Sequence, residues 1–477
     1  MNDCTTNAAS ALYFRHLAAP TNPIEGFEFR TLTDLIHADP SLFTQTFKNY
    51  VSETPEQWKV GKTQLKLRGI EDSLAFDRSE FEKVKLMVKK EVSIQLPDAP
   101  CALKKARGIQ FPPNERSAYE PATLYAAFSA ALAEATKLEQ EYEGIRFRVV
   151  YSAKMNHGDI GEFATESERL RADYPFSIVD ESDGKNWDAN IQVCHREGLC
   201  DVYELVSTDL ATHARRGICV RGKYRHDTGS IDYEVEGTVK SGHPDTSCGN
   251  GATNREEKIQ MILLLPPHLR PKMVRALIMG DDYLGWLYFD HAVDVKELLS
   301  QLNAAEARLG VHPERGLFFD LRHASFISLG FYRGIKGSTI ALPKIGRLLC
   351  RLFWTVTPLS GRCPMRLASG IAHSFYPLYS TWPPMRAFLG THMTVPPLGG
   401  SEMNHYYCWD EIGLTRLPEP INWDENHLVK YGADSLLLDL NFLKNIPGAG
   451  IISHPVIEAM YRVDTADPID RLGCVLR

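Results

Sequence analysis

Hydrophobic and polar positions repeat along the chain with two different periods, which predict two kinds of element. Alternation with period two, bounded by Gly, Pro or Asp, predicts strands. These are residues 145–152, 176–179, 223–239 as one hairpin, 274–289 as a second hairpin, and 318–332. Apolar residues spaced by three and four predict helices. The first are short helices within 27–92, including a basic one around Phe81, Val84 and Val88. A strong helix begins at Pro121 and ends before Gly144, and further helices are predicted over 243–265, 294–309 and, with Pro and Gly breaks, much of 333–477. The mixture predicts an α+β chain.

Composition narrows the class of protein without indicating an activity. The chain has 477 residues, of which 44% are hydrophobic and 24% charged, and this excludes a disordered chain. Its ten cysteines include no C-x-x-C pair, so we expect reduced thiols rather than a zinc finger or a disulfide framework. We expect neither a signal peptide nor an intrinsic transmembrane segment, because no leader-like start and no apolar run of ~18 residues is present.

The clearest chemical signal is a pair of carboxylates between two apolar strands. Gly280-Asp281-Asp282 separates Val274–Met279 from Tyr283–Phe289. Adjacent carboxylates at the edge of a low-dielectric core repel each other unless a cation lies between them. Oxygen ligands of this kind suit Mg²⁺ or Mn²⁺. A hairpin turn that uses Asp and Gly for their backbone tolerance explains the same tripeptide equally well.

A second apolar strand ends in carboxylates about 100 residues upstream. Asp180 and Asp183 follow it, and Asp188 comes five residues after Asp183. If the chain leaves the strand at Asp183 and enters a helix near Asp188, the two side chains can face one cavity. A two-metal site takes carboxylates from separate elements, and Asp183 with Asp281 supplies such a pair. A solvated acidic loop is the alternative.

Small and polar residues surround the start of the helix predicted after Gly242. Gly242 permits a close backbone approach, and Ser241 lies beside it. Thr246 and Asn250 are four residues apart and share one helix face, where they form a polar stripe that can hydrogen-bond a ribose. Helix capping by residues 245–247 is the alternative; it accounts for the hydroxyls but not for Asn250.

Three cations, Lys104, Lys105 and Arg107, cluster between proline-rich segments. Such a cluster can bind a triphosphate, and the Arg107 guanidinium can make two hydrogen bonds to it at once. A solvated basic loop is an equally ordinary interpretation.

In this order along the chain, the basic cluster, Asp-x4-Asp, Ser-Gly-x3-Thr-x3-Asn and Gly-Asp-Asp resemble the RNA-dependent RNA polymerases of positive-strand RNA viruses. The segment Asp-Thr-Ser-x-Gly-Asn is most similar to the noda-like and tombus-like polymerases. The resemblance covers roughly residues 100–335. It implies a right-hand polymerase fold. Its parts are an N-terminal extension and fingers over 1–165, a palm with an antiparallel sheet over 166–320, a fingers insertion in the palm at about 190–240, and a thumb and C-terminal region over 321–477.

The resemblance also implies a role for each matching residue. Asp183 and Asp281 resemble the two aspartates that bind a pair of Mg²⁺ or Mn²⁺ ions, and Asp282 resembles the supporting third carboxylate. Ala324–Tyr332 is similar to the hairpin that grips the primer. The residues that resemble those binding the nucleotide and its ribose are Asp188, Ser241, Gly242, Thr246, Asn250, Lys104, Lys105 and Arg107.

Two assignments stay open at this level. Asp180 also ends the apolar strand and could replace Asp183 as the first metal ligand, although the five-residue spacing to Asp188 favours Asp183. The family often supplies a basic general acid from the late palm, and here His312 and Arg315 are the candidates.

The implied reaction is RNA-templated RNA synthesis, with nucleotidyl transfer from NTPs to an RNA 3′-end. The partners it implies are template and product RNA, NTPs, and viral or host proteins that tether the enzyme to membranes in the host cell cytoplasm. Three alternatives are a reverse transcriptase, a non-catalytic RNA-binding replication protein with a palm fold, and a metal-dependent nuclease. Asp188 and Asn250 suit a ribonucleotide, whereas a reverse transcriptase calls for a bulky residue that excludes one.

Net charge at first argues against an RNA partner, because the total is −7. Its distribution argues the other way. The segment 321–401 has no Asp or Glu and nine basic residues, which leaves −16 for the rest of the chain. A second basic segment is 83–107, with a net charge of +5. We therefore expect these segments to line an RNA channel. The cations predicted to contact RNA are Arg333, Lys336, Lys344, Arg347 and Arg351.

Overall fold

The computed structural model of the protein describes most of the chain between residues 119 and 349 and shorter segments on either side. The described residues are 5–13, 24, 26–57, 83–88, 108–111, 119–184, 186–240, 243–349, 352, 363–379, 383–393, 420–421, 425–426, 429–430, 454–471 and 473–475. The chain divides into two compact units. Unit 1 comprises Met1–Lys90, Cys101–Lys154 and Ser182–Glu314, and unit 2 comprises Glu91–Pro100, Met155–Glu181 and Arg315–Arg477.

Helices and strands both contribute to the fold, which confirms the mixed α+β class. The helices are α1 (Thr5–Leu12), α2 (Arg30–Ala38), α3 (Pro40–Gln57), α4 (Tyr119–Ala135), α5 (His157–Leu170), α6 (Trp187–Asn190), α7 (Val193–Val206), α8 (Thr208–Arg216), α9 (Asp245–Leu263), α10 (Val295–Arg308), α11 (Ile345–Leu349), α12 (Pro364–Tyr379), α13 (Pro383–Thr391) and α14 (His454–Thr465). The strands are β1 (Lys83–Val88), β2 (Gly108–Phe111), β3 (Gln140–Tyr142), β4 (Ile145–Tyr151), β5 (Phe176–Gly184), β6 (Cys219–His226), β7 (Gly229–Glu236), β8 (Met273–Met279), β9 (Asp282–Phe289), β10 (Pro313–Phe318), β11 (Ser325–Phe326), β12 (Leu329–Arg333) and β13 (Thr339–Pro343).

The strands form three sheets. Their orders are β2-β1-β6-β7, β10-β5-β9-β8-β4-β3 and β11-β12-β13. In the six-stranded sheet, β8 pairs antiparallel with β9, but β4 pairs parallel with β8, so the sheet is mixed rather than purely antiparallel. A parallel pair needs a long crossover connection, and the chain between β4 and β8 is long enough to supply one.

Unit 1 has its core around α9. A single hydrophobic cluster joins residues from α2, α3, α4, α7, α8 and the start of α9. The helix also carries buried polar groups with specific partners. The Glu256 carboxylate accepts hydrogen bonds from the backbone N–H groups of Thr31 and Leu32, at 2.9 and 3.0 Å. It therefore satisfies free donors at the first turn of α2, where a negative charge is also favoured by the helix dipole.

Unit 2 contains the three-stranded sheet and the helices that follow it. Helix α5 packs against β13, and Gly161 allows the close approach, because a Cβ there would lie 2.8 Å from the backbone oxygen of Thr339. A separate hydrophobic cluster combines residues from β12, β13 and α11 to α14. Two turn residues with positive φ, Ile327 and Ser328, join β11 to β12, so the predicted 324–332 segment does form a hairpin.

The element predictions from the sequence differ from the structure at several places. Thr339–Pro343, within the region predicted as helical, form strand β13, and strand β10 begins at Pro313, ahead of the strand predicted from residue 318. Residues 83–88, predicted as a basic helix, form strand β1, which pairs with β6 in parallel. The helix predicted from Pro121 to just before Gly144 ends at Ala135, and a hairpin of β3 and β4 follows it. Glu143 and Gly144 both have positive φ in its two-residue turn, which is the pattern of a tight hairpin connection rather than of a helix end.

Among the described residues, no helix combines the length and the apolar character needed to cross a membrane.

Candidate active site

The predicted carboxylate tip is a tight turn between two buried strands. Met279 and Asp282 are paired across β8 and β9, which leaves Gly280 and Asp281 as a two-residue turn. Gly280 has a φ of +63°, whereas Asp281 is not among the residues with positive φ. A positive φ confined to the first turn residue matches the hairpin turn that favours Gly there. Residues 273–278 and 283–289 are buried, while Met279 and the two aspartates, Asp281 and Asp282, are half-buried and reach solvent.

Asp183 lies near the end of β5, which is the neighbour of β9 in the strand order. The strand continues through the carboxylate-rich segment to Gly184, and the chain enters α6 at Trp187, as the sequence predicted. Asp183 is exposed. Asp188 is buried in α6, and its backbone oxygen accepts a hydrogen bond from the N–H of Val239 at 3.0 Å.

Asp180 has a partner that separates it from Asp183. The Arg315 Nε donates to its Oδ1 at 2.8 Å, and both side chains are fully buried. A buried carboxylate paired in this way is committed to an internal ion pair. Of the two aspartates, Asp183 is therefore the one whose side chain faces solvent. The ion pair with Asp180 also engages Arg315, which is one of the two candidates for the general acid. The other candidate, His312, is half-buried.

Residues 245–247 do not cap α9 with their side chains. Pro244 occupies the N-cap position and makes no side-chain cap, and the Asp245 N–H at the first helical position donates to His243 Nδ1 at 3.2 Å. Thr246 Oγ1 donates to the Lys240 backbone oxygen at 2.9 Å, and Ser247 Oγ lies 3.1 Å from Tyr151 Oη. Asn250 is 5% exposed, and no hydrogen bond of its side chain is found in the described part of the chain.

A buried ion pair that the sequence did not reveal lies beside the start of α9. The Asp245 carboxylate accepts hydrogen bonds from the Arg196 guanidinium and from the Tyr203 hydroxyl. Burial raises the pKa of Asp245, but Arg196, His243 and the Tyr203 hydrogen bond outweigh it, so the pKa lies below its ordinary value of 3.8. Arg196 stands 49 residues from Asp245 in the chain, and no local pattern predicts such a pairing.

Asn254 is a second residue that sequence reasoning missed. It lies on α9 one turn after Asn250, is fully buried, and donates from Nδ2 to the Gly280 backbone oxygen at 3.0 Å. A second, longer contact of 3.4 Å joins Nδ2 to the Asp282 backbone oxygen. The four-residue spacing from Asn250 was the only signal in the sequence.

Lys240 holds the segment that leads into α9. Its buried ammonium donates to the backbone oxygens of Ile218 and Thr238, both at 3.2 Å, and also to that of Gly237. Burial, and next the Arg196 guanidinium, lower the pKa of Lys240 to about 7. The predicted nucleotide-binding residues that lie outside the described residues are Ser241, Gly242, Lys104, Lys105 and Arg107.

The cations predicted to contact RNA are placed differently from one another in unit 2. Arg333 and Lys336 are exposed, and Arg333 lies 3.9 Å from a Glu425 oxygen. Lys344 is only 9% exposed and donates to the Asp464 backbone oxygen, and burial, with the nearby Arg471, lowers its pKa to about 8.

Burial removes Lys344 from the cations that could face RNA. Arg347 is half-buried and donates to Ser328 Oγ at 2.7 Å. Arg351 lies outside the described residues.

The donor types at the tip fit a hard divalent cation. Asp183, Asp281 and Asp282 offer carboxylate oxygens, which Mg²⁺ and Mn²⁺ prefer, and all three reach solvent. In the part of the chain that the structure describes, no three His, Cys, Asp or Glu side chains converge closely enough to hold a metal ion. Like-charged carboxylates repel, and closing them around one ion requires the charge of that ion.

No protein-family model matches the chain, and no curated protein is significantly similar to it.

Proposed function

We propose that this protein is an RNA-directed RNA polymerase with a right-hand fold. The observation that carries the proposal is the pair of neighbouring strands β5 and β9, of which β5 ends at Asp183 and β9 begins at Asp282. Carboxylates on separate strands of one sheet are what a two-metal nucleotidyl transfer needs. The order of motifs in the sequence supports RNA as the template and NTPs as the substrates.

Asp183, Asp281 and Asp282 would hold the metal ions. When bound, the ions lower the pKa of the primer 3′-hydroxyl and neutralise charge on the departing pyrophosphate. The protein itself supplies positioning, because phosphoryl transfer depends mainly on alignment and fixed charge. The buried strands β8 and β9 hold in place the turn that carries Asp281 and Asp282.

Asp188 and Asn250 support a ribonucleotide substrate. Both are buried polar residues of unit 1, and the Asn250 amide has no hydrogen bond within the described part of the chain. A polar group that is left unpaired when the 2′-hydroxyl is missing disfavours a deoxynucleotide. This pair favours RNA synthesis over DNA synthesis by a reverse transcriptase.

Primer extension tests the proposal directly. The purified chain is incubated with a primed RNA, the four NTPs and Mg²⁺, and products are resolved by length. We expect extension by the wild type and none by Asp281→Asn or Asp183→Ala. The matched control is Asp227→Asn, which removes an exposed carboxylate from the tip of the β6–β7 hairpin and should extend normally.

Two outcomes would contradict the proposal. Normal extension by both tip variants would show that these carboxylates are not catalytic. Shortening of the RNA in the absence of NTPs, abolished in the same variants, would instead assign a metal-dependent nuclease.

A further inference from the structure

Asn254 joins helix α9 to the carboxylate tip through its side-chain amide. Its Nδ2 donates to the backbone oxygens of Gly280 and Asp282, which stand on either side of Asp281. The side chain is 0% exposed. All of these residues belong to unit 1.

A buried amide at position 254 costs free energy unless it makes a hydrogen bond that the turn needs. The Asn254 Oδ1 atom is buried and has no hydrogen-bond partner in the described part of the chain. A buried polar atom without a partner is unfavourable, and an apolar side chain at this position would avoid that penalty. The gain must come from Nδ2, which donates to the Gly280 carbonyl inside the turn and makes a longer contact with the Asp282 carbonyl.

The position of Asn254 also connects two parts of the site. Asn250 lies one helical turn earlier on α9, so the two amides lie on the same side of that helix. Movement of the turn relative to α9 would change the distance between the carboxylates and the residue assigned to the ribose. A hydrogen bond to the turn backbone resists that movement without contacting any substrate.

We propose that Asn254 is a positioning residue that fixes the Gly280–Asp282 turn against α9 and so sets where the Asp281 and Asp282 carboxylates stand for a divalent cation. The hydrogen bonds from Asn254 to the turn do not depend on the proposed function. Their purpose, which is to place carboxylates for a catalytic cation, rests on it. Asn254 acts through the turn backbone and is not itself a ligand.

The test compares two variants of Asn254 with a neighbour on the same helix. Asn254→Ala removes the amide, and Asn254→Asp keeps its size but replaces the donor with an acceptor that repels the two carbonyls. Thr253→Ala is the matched control, because Thr253 is also buried in α9 and its side chain makes no hydrogen bond to the turn among the described residues. If the alanine variant does not fold, the aspartate variant and the control still decide the question.

Three readouts separate a positioning role from a merely structural one. Amide hydrogen exchange of peptides covering residues 273–289 is measured without metal, the affinity for Mn²⁺ alone is measured from the paramagnetic signal of the free ion, and kcat and KM for NTP are measured on primed RNA. We expect faster exchange at the turn, about tenfold weaker Mn²⁺ binding and a lower kcat with little change in KM. Thr253→Ala should leave all three near wild-type values.

Equal exchange at the turn and equal Mn²⁺ affinity in the Asn254 variants and Thr253→Ala would overturn the proposal. Failure of the wild type to extend RNA is a different result and counts against the proposed function alone. In that case, altered exchange and altered Mn²⁺ binding would still establish Asn254 as the residue that positions the tip.

Discussion

Gly280 shows how one residue permits the carboxylate tip. Its φ of +63° lies in the region that side chains disfavour, yet a Cβ added there would meet nothing within 4 Å. The requirement for Gly is therefore a backbone requirement and not one of space. Gly251 is the opposite case, because its Cβ would lie 2.4 Å from the Tyr151 ring although its backbone is helical.

Substitution of Gly280 should separate strain from crowding. We expect Gly280→Ala to lower the free energy of unfolding by about 1 kcal/mol and Gly280→Asn to lower it by less, because Asn tolerates the left-handed region. Gly251→Ala should cost more than Gly280→Ala, since the Tyr151 ring must move. Urea titration measures all three variants. Equal losses for Ala and Asn at position 280 would contradict a backbone origin.

Asn250 is the residue whose change should alter substrate choice. We expect Asn250→Ala to reduce the preference for an NTP over the matching dNTP by about tenfold, because the amide then no longer hydrogen-bonds the ribose. Single-nucleotide incorporation on one RNA template measures the ratio of kcat/KM values. Thr253→Ala serves as the control and should keep the wild-type ratio. An unchanged ratio in Asn250→Ala would remove the ribose role.

Residues with a local signal could be predicted from the sequence, and residues that act through distant partners could not. Asp183 and Asp281 follow apolar strands, so their position at a strand end is visible in the pattern. Asn254 bonds a backbone oxygen 26 residues away, and backbone acceptors leave no trace in a sequence. Lys344 was likewise assigned to RNA from its charge, but the structure buries it. Charge alone does not show whether a cation at the end of a strand faces solvent or the interior.

At the scale of elements, α9 is held by polar contacts at both of its ends as well as by apolar packing. Asp245 at its start binds Arg196 and Tyr203, and Lys258 near its end binds Glu306. Both contacts are buried, and removing one partner of the Arg196–Asp245 pair leaves a buried charge without its counter-charge. The helix that carries Asn250 is thus held by buried polar contacts near both of its ends.

Breaking the Arg196–Asp245 pair should therefore destabilise unit 1 strongly. We expect Asp245→Ala to cost about 3–5 kcal/mol, and the double variant Arg196→Met, Asp245→Leu to cost less, because no buried charge is left unpaired. The control is Asp232→Ala, which breaks an exposed pair with Arg225 and should cost under about 1 kcal/mol. Chemical unfolding measures each variant. A larger loss of stability in the double variant than in Asp245→Ala would contradict this explanation.

The same pair predicts a dependence on pH. The pKa of Asp245 is lower in the folded protein than its ordinary value of 3.8, so the stabilisation is present above that value and is lost as the pH falls through the folded value. The difference in stability between the wild type and Asp245→Asn should shrink as the pH falls below about 4. A difference that grows on acidification would contradict the direction of the shift.

The elements could be predicted where their hydrophobic pattern is local. The β8–β9 hairpin, α10 with its Asp294 cap and Gly310 end, and the β6–β7 hairpin all follow the predictions closely. Residues 83–88 did not, because KVKLMV satisfies either period over six residues. Its pairing with β6, more than 130 residues away, selects the strand.

At the scale of the molecule, charge is distributed unevenly along the chain. The total of −7 combines an acid-free segment of +9 with a remainder of −16. Within that segment the structure exposes Arg333 and Lys336 but encloses Lys344. Only a part of the segment's positive charge is therefore available to a phosphate backbone, and composition alone could not show which part.

Removal of the exposed cations should weaken RNA binding in a salt-dependent way. We expect the double variant Arg333→Gln, Lys336→Gln to bind single-stranded RNA more weakly and to show a smaller slope of log affinity against log salt, by about 0.7 for each phosphate that is no longer neutralised. Lys137→Gln, which removes an exposed cation of unit 1, should leave the slope unchanged. Fluorescence anisotropy of labelled RNA at several salt concentrations measures the affinity and hence the slope. An unchanged slope in the double variant would place the RNA elsewhere.

Template-directed incorporation tests the central claim most directly. Four primed RNAs that differ only in the next template base are each incubated with the purified protein, Mg²⁺ and one NTP at a time. We expect that only the complementary NTP is added to each primer, that the matching dNTP is added far less, and that Asp281→Asn adds none. Addition that ignores the template base, or addition that survives in Asp281→Asn, would contradict the assignment as an RNA-directed RNA polymerase.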